Sequence, residues 1–228
     1  MNSFKTGLGY INRSTITNHR MVPKVLLICG IVSSLLWIVA DIFASIQYEG
    51  YSFTSQAVSE LSAIGAPTKS LLVYTGLIYE VLLFLFGFGV LLISGQKRGL
   101  RFTGILIMTH AILATVSFFF PMNLREAEKT ISDTMHVIIY TAIPIIILFI
   151  IGFGSAADGK WFRIYSIATI LILILFGILT GMAAPKIAAG LPTPWAGLYE
   201  RINIYGYMVW IILLAMVLSR KQSHSLKT

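Results

Sequence analysis

The sequence predicts an all-α polytopic membrane helix bundle with six transmembrane helices and both termini in the cytoplasm. Three observations predict it. Of the 228 residues, 57% are hydrophobic and only 11% are charged, whereas an ordinary soluble domain carries roughly 25% charged residues. The chain divides into six apolar stretches, each near the 17–25 residues that a helix rising ~1.5 Å per residue needs to cross ~30 Å of hydrocarbon. Its Lys and Arg residues also alternate between dense and sparse loops, the asymmetry expected when positive charge is retained on the cytoplasmic side.

The elements follow in order. Residues 1–22 are polar, carry Lys5, Arg13 and Arg20, and exceed the usual charged region of a cleaved signal peptide, so they read as a cytoplasmic tail before a signal anchor. Residues 23–219 form the membrane domain and 220–228 a second cytoplasmic tail. The first span, 24–45, contains the chain's single cysteine, Cys29, which reads as packing because no disulfide partner or activated exposure accompanies it. The second span is 71–94 and the third 102–120. The fourth, 134–154, should kink at Pro144. The fifth, 164–184, has almost nothing polar and is expected to face lipid. The sixth is 201–218. Gly76, Gly87, Gly89, Gly177 and Gly181 are expected to let helices approach closely. Runs such as 143–151 are continuously apolar, which excludes the alternation of a β-barrel.

With the N-terminus inside, twelve of the seventeen basic residues fall on the cytoplasmic side, and Lys69, Arg125, Lys129, Lys186 and Arg201 lie outside. The acids are biased oppositely: Glu49, Glu60, Glu126, Glu128, Asp133 and Glu200 fall in or beside the outer loops, and only Asp158 is cytoplasmic. Acidic residues contribute little to topology, so this bias marks the outer face as the functional one. The net charge of +8 is distributed by topology and gathered on no module, so no nucleic-acid partner is expected. Membrane lipid is the expected surrounding, in the cell membrane.

The first outer loop, 46–70, carries the interfacial aromatics Tyr48, Tyr51 and Phe53. Thr54 is placed to cap a short helix over 55–63, which Gly65 and Pro67 would end. Here the sequence resembles a family of prokaryotic integral membrane proteins catalogued as domain of unknown function nine-nine-eight. The likeness rests on Tyr51-Ser52, Ser59-Glu60-Leu61-Ser62 and Gly65-Ala66-Pro67, with Phe120-Pro121, His136 and Glu200-Arg201 beyond, and covers about residues 24–218. It implies a six-helix membrane protein with polar residues gathered at one face, and no established activity.

Ionisable groups inside spans are costly and usually face the bundle interior. Asp41 lies about 6 Å and His136 about 3 Å below the outer ends of their spans, with Asp133 and Glu200 at the boundary. Together with Ser59, Glu60 and Ser62 they could form one outer layer. Glu80 and His110 lie about 14–15 Å deep and could meet near the midplane. Helical spacing sorts these groups into stripes: Asp133, His136 and Tyr140; Glu200, Asn203 and Tyr207; Thr103, His110 and Ser117; Ser34, Asp41 and Ser45.

The leading functional reading is an outer-leaflet pocket for a lipid or lipid-linked headgroup, hydrolysed in its sharper version. His136, Asp133, Asp41 and Ser59 are its candidate catalytic residues, with His136 as a base oriented by a carboxylate. Glu60, Ser62, Glu200 and Arg201 are candidate ligand-binding residues. Glu80 and His110 belong to an alternative reading, proton-linked transport of a small solute, and a structural or accessory subunit is a third. For each residue the plainer role is packing, capping or anchoring. His110 and His136 differ by about 12 Å in depth, too far to share a metal at ~2.1 Å per bond. There is no Walker loop, zinc-binding cysteine set or HExxH motif, so no cofactor or metal is assigned.

Overall fold

A computed structural model describes residues 5–124, 128 and 130–224, with side chains from Val22 onward except those of Ala188 and His224. Six helices account for nearly all of it: α1 (Lys5–Gln47), α2 (Lys69–Ile93), α3 (Arg98–Ser117), α4 (Ile131–Gly154), α5 (Lys160–Ala188) and α6 (Ala196–His224). All six contain a stretch long and apolar enough to cross a membrane; in α1 it is Val22–Gln47. Among the described residues there is no strand, only a single bridge between Ile64 and Asn123. The protein is a multi-pass membrane protein, as its composition requires. In hydrocarbon every backbone polar group must be satisfied internally, and helices do this within the segment. The expected charges at Arg125, Glu126, Lys129 and Lys227, and the side chains of Lys5, Arg13 and Arg20, lie outside the described residues.

The helices close into a ring in chain order, α1 against α2, then α3, α4, α5 and α6, which returns to α1. The α4 contact with α6 is sparse. The loops 48–68, 118–124 and 189–195 share one end, the loop face. Below it, Leu27, Phe86, Ile107, Ile150, Trp210 and Leu214 have no exposed surface and form the apolar heart of the bundle. Cys29 packs half-buried against this core. Helix α5 is the least buried span, and Leu171, Ile178 and Met182 stand out from it. This agrees with its expected lipid-facing role.

Small residues set two of the contacts. A Cβ on Gly76 would strike the Phe118 ring, and Gly87 and Gly104 bring α2 and α3 so close that a Cβ on either meets the other's carbonyl oxygen. Gly89 similarly admits Leu26 of α1. Gly177 and Gly181 do not fit the expectation: open space surrounds both, because they face away from the other helices. Helix α4 runs through Pro144 without interruption.

The first loop also departs from expectation. Its only helical turn is 3-10, Val58–Ser62, with Ala57 before it and not Thr54. The Glu60 carboxylate folds back on the Ala57 N–H at 2.8 Å, and the Tyr51 hydroxyl reaches the Gln56 and Ala57 carbonyls at 3.0 and 2.9 Å. Those carbonyls are thus claimed from outside, and the turn stays short. Gly65, at φ +90°, reverses the chain before α2 as expected.

Candidate functional site

The polar layer under the loop face is built around Arg201 of α6. This side chain is 2% exposed and makes a bidentate pair with Asp41 of α1, Nε to Oδ2 at 2.8 Å and Nη2 to Oδ1 at 2.9 Å. Its Nη2 also reaches Ser45 Oγ at 3.0 Å and Tyr51 Oη at 3.1 Å, while Nη1 donates to the Phe53 and Gly197 carbonyls at 2.6 and 3.4 Å. The Phe53 ring lies 3.7 Å from the guanidinium carbon, a cation–π contact. Tyr205, one turn below Arg201, donates a short hydrogen bond to Asp41. A planar five-donor fork suits this role, whereas an ammonium would satisfy only part of it.

The first loop is therefore clamped to α6. Glu200 accepts the Val58 N–H at 2.8 Å, and the Leu198 N–H donates to the Thr54 carbonyl at 3.1 Å. Gly197 lies so close under the loop that a Cβ would collide with the Gln56 and Phe53 carbonyls. Burial raises the Tyr51 phenol above its ordinary range, so it stays protonated and donates to the loop carbonyls. Glu60 is 1% exposed and also receives Gln56 Nε2 at 3.2 Å. The Ser59 carbonyl accepts the Ser62 hydroxyl at 3.2 Å.

The second cluster joins α3 to α4. Asp133 accepts both the backbone and side-chain N–H of Asn123, at 2.7 and 2.8 Å, and the N–H and hydroxyl of Thr130, at 2.8 and 2.9 Å. It is the capping carboxylate of α4. His136 Nδ1 lies 3.0 Å from the Phe120 carbonyl, and its ring stacks on Tyr140 at 4.4 Å. The predicted outer-layer residues thus fall into two groups, Asp41 with Arg201 and Asp133 with the α3–α4 turn. The hydrogen-bonding capacity of both carboxylates is directed elsewhere, and His136 is oriented by a backbone carbonyl. Among the described residues no hydrogen bond joins His136 to a carboxylate, and Asp133, one turn away on the same helix, acts on it through charge.

Deeper in the bundle, His110 Nδ1 meets the Tyr207 hydroxyl at 3.2 Å, and Ser117 reaches the Tyr140 hydroxyl at 3.2 Å. Glu80 is 6% exposed and its Oε2 has no hydrogen-bond partner. Glu80 and His110 therefore share the neighbourhood of Tyr207, with no hydrogen bond between them. Among the described residues no group of three His, Cys, Asp or Glu side chains could hold a metal ion.

Beside Arg201 a groove of about 400 Å³ opens between α5 and α6. Ile172 and Thr169 line it from α5, and Leu198, Ile202, Gly206 and Val209 from α6. Phe53, Arg201 and Tyr205 stand at its loop-face end. Reading the sequence missed this groove, and it missed Tyr205, Asn123 and Gly197 as parts of the polar layer. Tyr205 stood one helical turn from Arg201, so its face was readable. The apposition of α5 and α6 that makes the groove was not, because apolar helices carry no mark of their neighbours.

No curated protein and no solved structure matches the chain. Residues 31–217, which hold the polar layer, the capped first loop, four whole spans and most of the first and sixth, match the sequence model of one family. The chain belongs to that family, described as "Protein of unknown function (DUF998)".

Proposed function

We propose that this protein binds a membrane lipid, or a lipid-linked molecule, in the α5–α6 groove, its acyl chain along Ile172, Ile202 and Val209 and its polar head at the Phe53 end. The observation that carries this reading is an apolar groove, within the ~300–1,000 Å³ of small-molecule sites, that ends at a polar layer of the same helix. The charge bias of the loops favours the loop face lying outside, which puts the head in the outer leaflet.

Binding is supported better than hydrolysis. Hydrolysis requires a base within hydrogen-bond reach of water or a nucleophile. Asp41 holds Arg201 and Tyr205 and Asp133 holds Asn123 and Thr130, so both carboxylates are committed, and the groove is not lined by His136, whose Nδ1 donates to the Phe120 carbonyl. The Arg201 donors are likewise committed inside the protein, so Arg201 shapes the end of the groove and does not itself grip a phosphate.

Native mass spectrometry of the protein released from nanodiscs tests the reading, comparing the wild type with Ile172→Trp, which fills the groove from an exposed position on α5. A lipid adduct retained by the wild type and lost from a normally folded Ile172→Trp protein is the expected result. Equal adducts in both proteins would overturn it.

A further inference from the structure

We propose that Glu80 is a proton-binding site, loaded from the loop face and sealed from the opposite face. Glu80 lies in the middle of α2 with its Oε2 buried and without a partner. An ionised carboxylate in such surroundings costs several kcal/mol unless it is paired. Among the described residues no cation forms an ion pair with it. The titratable groups that interact with its charge are Tyr79 on α2 itself, Tyr140 on α4 and Tyr207 on α6, the last bonded to His110 of α3. From α1 the nearest ring is Trp37, packed on Tyr79 at 5.6 Å, and the Asp41 charge on that helix is already matched by Arg201. Glu200 of α6 adds a further acid on the Tyr140 side. Proton binding is the uptake of one aqueous proton at the carboxylate, forming a neutral acid; no other bond changes.

The surroundings of Glu80 are polar on one side only. Toward the loop face stands Tyr140, bonded to Ser117 and stacked on His136. Toward the opposite face, Leu83, Phe86, Ile107, Ile151, Trp210 and Ile211 have no exposed surface and fill the cross-section of the bundle. The buried hydroxyls on that side are bonded within their own helices, Ser33 and Ser34 to the Gly30 carbonyl, Thr103 to the Gly99 carbonyl and Ser166 to the Phe162 carbonyl, and the Trp210 indole donates to Ser166 at 2.9 Å. The polar groups that connect toward water thus lie on the loop-face side of Glu80, and beyond it stand apolar side chains and hydroxyls already bonded inside the helices.

Infrared spectroscopy of the full chain, reconstituted in one orientation, tests this through the carbonyl stretch of a protonated carboxylic acid. With a second buried acid removed by Glu200→Gln in every sample, the band at neutral pH is expected in the otherwise native chain and in Glu49→Gln, an exposed loop acid, and lost in Glu80→Gln. In Glu80→Asp it is expected to shift in frequency, which keeps the assignment testable if the glutamine variant misfolds. Raising the pH at the loop face alone should remove the band, and Tyr140→Phe should slow that loss. A band missing from the otherwise native chain, or one that survives in Glu80→Gln, would overturn the proton site. A band that responds equally from both faces would overturn the seal.

Discussion

Arg201 commits its guanidinium wholly within the protein, and the consequence is a sharp distinction between breaking and replacing its pair. Removing one partner of a buried ion pair leaves an uncompensated charge and costs about 3–5 kcal/mol, whereas an apolar replacement of both is often near neutral. Asp41→Ala and Arg201→Ala should each lower the thermal midpoint in micelles strongly, and the double variant Asp41→Leu/Arg201→Met should recover most of the loss. Asp133 differs in kind. It caps α4 at the loop face, so Asp133→Ala should cost about 1–2 kcal/mol, read by the same melting experiment, without emptying the lipid groove. Depth along each span was enough to single out Asp41, Arg201, Asp133 and His136 in the sequence. Their pairing was not readable, because helical spacing assigns a residue to a face and says nothing of the helix opposite. Arg201 and Asp41 lie 160 positions apart, and Asp133 takes its partner Asn123 from the preceding turn, ten positions away, a contact that spacing along α4 could not register.

At the scale of elements, charge misled the reading where charge was neutralised. The sixth span was expected to begin at 201, yet α6 begins at Ala196 because Arg201 is paired with Asp41 and does not need the aqueous boundary. The first-loop helix shrank to Val58–Ser62 because Tyr51 and Glu60 claim backbone groups that a longer helix would use. The glycines divide by the same logic of contact. Gly87→Leu should force α2 from α3 at an overpacking cost of about 1–3 kcal/mol, and Gly181→Ala, facing open space, should be neutral or stabilising. Melting midpoints of the two variants check this directly, and equal destabilisation by both would contradict it. Composition revealed that all five glycines sit in spans, but only the packing shows which of them meet a neighbour.

For the whole molecule, the six spans and the all-helical class were legible because hydrocarbon leaves a chain few alternatives. The ring order and the groove were not legible, since lipid-facing and helix-facing apolar residues look alike in sequence. Orientation rests on the basic residues and has its own test: in a Cys29→Ala background, Glu49→Cys should react with an impermeant thiol reagent on intact cells, and Gln96→Cys only after permeabilisation. The reverse pattern would place the polar layer and the groove mouth in the other leaflet.

The measurement that tests the central claim most directly is photo-crosslinking with a lipid carrying a reactive group in its acyl chain, mapped by peptide mass spectrometry. The lipid-binding account predicts adducts concentrated on Ile172, Ile202 and Val209, removed by competing unlabelled lipid. Adducts spread evenly over the exposed faces of α1 to α5, with no excess between α5 and α6, would contradict it.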